Sequence, residues 1–177
     1  SESYTGKLSI TETLASSMRG QKLSEREAVP LTLLSAVDGS EVQGTTRLQK
    51  LVFLAQNGGL DDDPIPDVQQ EFNGFNFDPY NYGPFSKELA QTVDELADRG
   101  LIKRSATTTS SGNSRDDYQI TDKGEQVLDD ALSERDENLL WGVKRLYNDT
   151  PLLKLLNEVY GDYPEYAENS ELNLNSL

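Results

Sequence analysis

Two short stretches limit the fold more than any other feature: "LADRGLIKR" from Leu96 to Arg104 and "DYQITDKG" from Asp117 to Gly124. In the first, a helical run meets Gly100, which can adopt the left-handed conformation that ends a helix, and Leu101 and Ile102 follow at once as strand formers. In the second, Ile120 answers from a paired strand, Thr121 is placed to cap a helix, and Gly124 leaves room for close packing. The intervening "SATTTSSGNSRD" is turn-rich. The spacing predicts a hairpin with strands near 101–105 and 116–121, held between two helices.

The segments upstream supply the helices that such a hairpin needs. In "EREAVPLTLLSAVDG", Val29, Leu33, Leu34 and Val37 mark one helical face and Gly39 ends it. In "GTTRLQKLVFLAQNGG", Leu48, Leu51, Val52 and Ala55 face inward, Thr45 or Thr46 is the N-cap, and Gly58-Gly59 stop the helix. A third helix is expected from about Ser86 to Arg99, its start set by Gly83-Pro84. The order helix, helix, helix, strand, turn, strand, helix predicts a mainly α fold: a winged helix-turn-helix with a two-stranded β-wing and extra N- and C-terminal helices. Residues 1–25 read as a polar extension, 26–133 as the winged-helix domain and 134–177 as a C-terminal helical segment. In that segment Leu139, Leu140, Val143 and Leu146 or Tyr147 form one apolar face, and Leu152, Leu153, Leu156 and Val159 another, after a Thr150-Pro151 start. Faces this apolar must pack on the core or on a second copy, and a homodimer is the expectation.

The chain contains no cysteine and no histidine. Disulfides and thiolate metal sites are therefore excluded, and the commonest general base and metal ligand are missing together. No enzyme activity, catalytic residue, metal or cofactor is assigned. The acidic "LDDDPIPD" loop, with Asp61, Asp62 and Asp63, lacks the alternating pattern of a calcium loop and reads as solvated. No membrane span or signal segment is expected, which points to a cytoplasmic protein.

Net charge is −15 over 177 residues. Residues 1–60 hold six bases and six acids, so the entire excess lies in residues 61–177. Periodic apolar segments argue against disorder, and the bias points to a halophile, where dense carboxylates keep a surface hydrated. The melting temperature is accordingly expected to rise from dilute to molar KCl as carboxylate repulsion is screened. A flat or falling curve would remove the halophile reading.

The 86–99 helix occupies the recognition position, yet it carries Lys87 and Arg99 against Glu88, Asp94, Glu95 and Asp98. Bases nevertheless recur around it. A DNA-contact surface is expected from the start of this helix (Ser86, Lys87 and Gln91) and a rim of Arg47, Lys50, Lys103, Arg104 and Arg115. Lys87 and Gln91 would meet base edges, and the rim would hold phosphates. The reading is a transcriptional regulator that binds double-stranded DNA. The alternative is a protein-interaction module that uses Tyr80, Tyr82 and Phe85 of "YNYGPF", since aromatic side chains dominate interface energetics.

"RLQKLVFLAQ", "YNYGPFSKEL" and "GLI…YQITDKG" resemble the YwgA-like family of bacterial and archaeal winged-helix proteins, over roughly residues 28–132. More distantly, the chain is similar to the Panacea domain of SocA-type antitoxins. "VYGDYPEYAENSEL" is similar to the C-terminal end of archaeal relatives, and the acidic bias suggests a haloarchaeal member. The resemblance implies a regulator or an antitoxin-like interaction protein, and it supplies no catalytic residues.

Overall fold

Ser24 begins the fold with a reciprocal cap: its hydroxyl accepts from the Glu27 amide, and the Glu27 carboxylate accepts from the Ser24 amide. The computed structural model describes residues 23–60, 63–64, 74–128 and 131–170. Most of the expected 1–25 extension lies outside them. Helix α1 (Glu25–Gly39) buries Ala28, Val29, Leu31, Leu33 and Leu34. Its regular turns end before Gly39, because Ala36 is extended and Val37 and Asp38 have φ of +52° and +54°. A β-branched residue at positive φ is strained and persists only when its surroundings hold it.

Strand β1 (Val42–Gln43) leads through Gly44 into α2 (Thr45–Asn57). Gly44, not a threonine, is the N-cap, and Thr45 instead shares a 2.8 Å hydrogen bond with the Tyr118 hydroxyl. Helix α2 is buried continuously from Arg47 to Ala55. Gly58, at φ +91°, ends it in the left-handed conformation. Two small hairpin ladders follow: β2 (Gly59–Leu60) with β3 (Asp63–Pro64), and β4 (Asp78–Tyr80) with β5 (Gly83–Phe85). Pro84 thus lies in a strand, and α3 (Lys87–Asp98) starts later, capped by Ser86.

The end of α3 follows the sequence reading closely. Gly100 has φ +76°, its amide bonds the Ala97 carbonyl at 3.0 Å, and the Leu101 amide bonds the Leu96 carbonyl at 2.9 Å. These paired bonds satisfy carbonyls that the helix end would otherwise leave open. Strands β6 (Ile102–Thr108) and β7 (Ser114–Ile120) pair antiparallel with Ile102 opposite Ile120. The hairpin is longer than expected, since residues 106–108 extend the first strand, 114–115 extend the second, and the turn contracts to 109–113. Strand β1 pairs with the other edge of β7, giving a three-stranded antiparallel sheet in the order β1-β7-β6.

Thr121 caps α4 (Asp122–Val127) as expected. A Cβ added to Gly124 would stand 2.3 Å from the Leu101 carbonyl oxygen and 2.8 Å from Ile120 Cγ1. Gly124→Ala must therefore move backbone, and it is expected to cost about 1–3 kcal/mol. Chemical denaturation measures this directly, and an unchanged midpoint would show that the turn yields freely.

The last helices are α5 (Glu134–Tyr147) and α6 (Leu152–Asp162), followed by a 3-10 turn at Pro164–Ala167. Leu139, Leu140, Val143 and Tyr147 of α5, and Leu155 and Val159 of α6, join the same core cluster as α1, α2 and α3. The C-terminal helices thus contribute to the core, while Leu146 and Leu153, which the sequence reading placed on the apolar faces, are 49% and 52% exposed. Phe53 of α2 anchors the C-terminal segment through edge-on contacts with Tyr163 and Tyr166, each with ring centroids 4.9 Å apart. The Tyr163 hydroxyl also donates to the Gly59 and Asn57 carbonyls at 2.6 and 3.0 Å, closing the end of α2. Across the described residues the architecture is mixed but mostly helical, with six helices and small antiparallel sheets.

Candidate functional site

The expected DNA-contact surface does not come together as a basic rim. Arg47 is only 9% exposed, and its guanidinium donates to the carbonyls of Thr150 at 2.6 Å and Tyr147 at 3.3 Å. Burial depresses its proton affinity, with Asp149 opposing that effect and Arg115 adding to it. Lys50 is 1% exposed, and its Nζ donates to the Pro84 carbonyl at 2.6 Å. Neither side chain can reach a phosphate. Both placements correct the sequence reading, and the cause is that α2 is the central helix, apolar round most of its circumference.

Two more rim residues are already neutralised. Arg104 is paired with Asp94 of α3, whose hydrogen bond raises the guanidinium's proton affinity. Arg115 donates to Asp117 through Nε at 2.8 Å and Nη2 at 3.1 Å. Burial works against the Asp117 carboxylate, but bonds from Arg115 and Thr107 outweigh it and hold its pKa below the ordinary value.

At the start of α3, Ser86 is fully buried. Its hydroxyl accepts from the Leu89 amide at 3.2 Å, and its backbone exchanges two bonds with the Gln49 side chain at 2.9 and 3.0 Å. Ser86 is a cap, not a base-reading group. Lys87, Gln91 and Lys103 remain exposed. Around them Asp94, Glu95 and Asp98 also face solvent. Arg99 is drawn toward α1 by a 2.6 Å bond to Glu27.

The aromatic segment is a hairpin, and sequence reading missed that form. In β4–β5, Asp78 pairs with Phe85, Pro79 with Pro84 and Tyr80 with Gly83, so Asn81 and Tyr82 form the turn. Tyr80 stacks on Phe85 with ring centroids 5.2 Å apart. Phe85 is half-buried beneath it, whereas Tyr80 and Tyr82 are 49% and 44% exposed. Gly83 is required here for two reasons. Its φ is +84°, and a Cβ would approach Lys50 Cε at 3.1 Å and Tyr160 Cε1 at 3.3 Å. Beneath the hairpin lies a cavity of about 140 Å³ lined by Tyr80, Tyr82, Phe85, Lys50, Thr45 and Thr46, among others.

Lys50 is the unusual member of this group. Burial, which no carboxylate among the described residues opposes, pulls its pKa down to about 7. A second buried lysine, Lys144 of α5, donates to the carbonyls of Leu34, Ala36 and Ser40 at 2.9, 2.7 and 2.6 Å. Burial lowers its pKa to about 8. Both lysines have a sequence signal: Lys144 sits on the buried stripe Leu140–Lys144–Tyr147, and Lys50 directly precedes the apolar run Leu51–Ala55. Among the described residues no cluster of His, Cys, Asp and Glu could hold a metal ion, and no helix is long and apolar enough to cross a membrane.

Comparison with models of known protein families gives no match, and comparison with curated proteins gives none either.

Proposed function

We propose that this chain is a non-enzymatic protein-interaction module built on a winged-helix frame. The frame is supported by the element order α1-β1-α2-α3-β6-β7 and the sheet order β1-β7-β6. Residues 58–86 depart from it, since they replace the short turn between the second and third helices with a longer segment bearing the aromatic hairpin. The observation that carries the functional reading is the fate of the rim: Arg47 and Lys50 are buried, and Arg104 and Arg115 are tied to aspartates. Phosphate neutralisation supplies most non-specific DNA affinity, and this face has little positive charge left to provide it.

The exposed tyrosines of the hairpin and the exposed acids of α3 suit a partner protein that presents arginine or lysine, which can meet ring faces and carboxylates. A pull-down from native-salt lysate, with and without nuclease, tests this reading. The expected result is a nuclease-insensitive partner that is lost with Tyr82→Ala and retained with Lys87→Ala.

A DNA-binding regulator is the second reading, favoured by Lys87 and Gln91, which stay exposed at the start of α3. Under that reading a duplex is enriched from the untreated lysate, and Lys87→Ala costs about 1–3 kcal/mol with relaxed sequence preference. Absence of duplex binding at every salt in which the protein is folded would eliminate it.

A further inference from the structure

The cavity beneath the tyrosine hairpin has the chemistry of a ligand site. We infer that it binds a small organic monocarboxylate, with the Lys50 ammonium on the carboxylate and the apolar body against Tyr80, Tyr82 and Phe85. The inference stands on geometry and is independent of the partner proposed above.

The polar end comes first. Lys50 has three N–H donors in its ammonium form, and Pro84 is the one acceptor found for it among the described residues. An amine so enclosed gains little from the protein and has much to gain from an anion. Thr45 and Thr46, which also line the cavity, open α2, and their Gly44 cap offers no side-chain acceptor to the first amides. A carboxylate lodged there would meet the positive end of a 13-residue helix as well as the ammonium. Lys144 makes the contrast plain: it is just as buried, but three carbonyls surround its Nζ and it lines none of the described cavities.

The apolar end fixes the class of anion. Three aromatic residues wall the cavity, and about 140 Å³ admits only a small body. One ammonium balances one negative charge, and no arginine fork is present to favour phosphate. A monocarboxylate with a compact apolar or aromatic body fits these limits better than a polyanion.

Binding should take up protons. Among the described residues the titratable groups around the amine are phenols: Tyr80 and Tyr82 on the hairpin, and Tyr160, which approaches Gly83 from α6. No carboxylate among them shifts Lys50. Above neutral pH the amine is increasingly uncharged, so an arriving carboxylate must draw a proton onto it. Affinity then falls by about tenfold for each pH unit above the amine's own pKa.

Benzoate is a suitable probe, with benzamide as its neutral counterpart and inorganic phosphate as a bare anion. Calorimetry on the full chain, at constant high ionic strength and in two buffers of different ionisation enthalpy, measures affinity and proton uptake together. The expected results are benzoate binding with uptake of about one proton near pH 8, and benzamide and phosphate at least about tenfold weaker. Lys50→Met is expected to lose benzoate affinity by at least about tenfold while remaining about as heat-stable as the parent, because relief of the buried amine's desolvation offsets the lost bond to the Pro84 carbonyl. A merely structural lysine would instead lower the melting temperature when replaced. If Lys50→Met does not fold, Tyr82→Ala and the proton count on the unaltered protein decide the matter. No benzoate binding at about 10 mM, equal binding of benzamide or phosphate, or binding without proton uptake would each overturn the inference.

Discussion

Replacing Lys144 with Met is expected to destabilise the protein by about 2–4 kcal/mol, a drop of roughly 5–15 °C in melting temperature for a chain of this size. Methionine restores most of the side-chain volume, so lost packing is not the main effect. What disappears is the donor that serves the carbonyls of Leu34, Ala36 and Ser40 where α1 breaks off. Those carbonyls point into the protein, and each one left without a partner costs about 1–3 kcal/mol. The same break contains Val37 and Asp38 at positive φ. Without the ammonium gathering the surrounding carbonyls, that strained turn has less reason to persist. Arg145→Met, one residue along and exposed, is the control and should stay within about 0.5 kcal/mol of the parent. Thermal denaturation of the two variants decides the point. Equal stability would show that desolvating the Lys144 charge costs as much as its three hydrogen bonds contribute.

Raising the pH from about 7 to 10 is expected to stabilise the fold, on the order of 3 kcal/mol or more, since a tenfold change in proton affinity is worth about 1.4 kcal/mol. Lys50 and Lys144 have pKa values pulled by burial to about 7 and about 8, below the ordinary lysine value of 10.5. Between the folded and unfolded values the unfolded chain binds more protons, so unfolding becomes harder as pH rises. The gain starts near pH 7, where Lys50 begins to lose its proton in the folded protein, and levels off as unfolded lysines titrate. Above that window Tyr118, Tyr160 and Tyr166, whose pKa values burial raises, reverse the trend: in the unfolded chain they ionise first. Denaturant midpoints at fixed molar salt across this range measure the slope. Lys50→Met should remove the lower part of the rise and leave the part due to Lys144. A flat or falling curve in the parent protein would mean that both amines keep their protons inside the fold.

How this chain divides between local and distant causes is clearest at its helix ends and its lysines. The Thr121 cap, the left-handed Gly100, the close packing at Gly124 and the hairpin between them depend on residues a few positions apart. They could therefore be read from the sequence. The inward face of α5 was also readable, because apolar periodicity selects a face, whereas that of α6 is rotated to Leu155, Leu156, Val159 and Tyr160 and leaves Leu153 exposed. Periodicity does not say what covers a face, and for α5 the chain's own α1 and α2 do so. The missed hairpin at Tyr80–Gly83 has a related cause: two prolines and a glycine look like a helix entry until the Lys50 bond to Pro84 shows where the strand lies.

The candidate site was the least readable part, because a basic residue has the same sequence signature on a surface as in a core. Arg47 is held by carbonyls 100 and 103 positions away, and Lys144 by carbonyls 104 to 110 positions away. The sequence by itself determined the main helices, the hairpin after α3 and the turn into α4, since each depends on neighbours along the chain. The tertiary structure alone decided which cations meet water and which meet buried carbonyls, because desolvation is set by groups that only folding brings together.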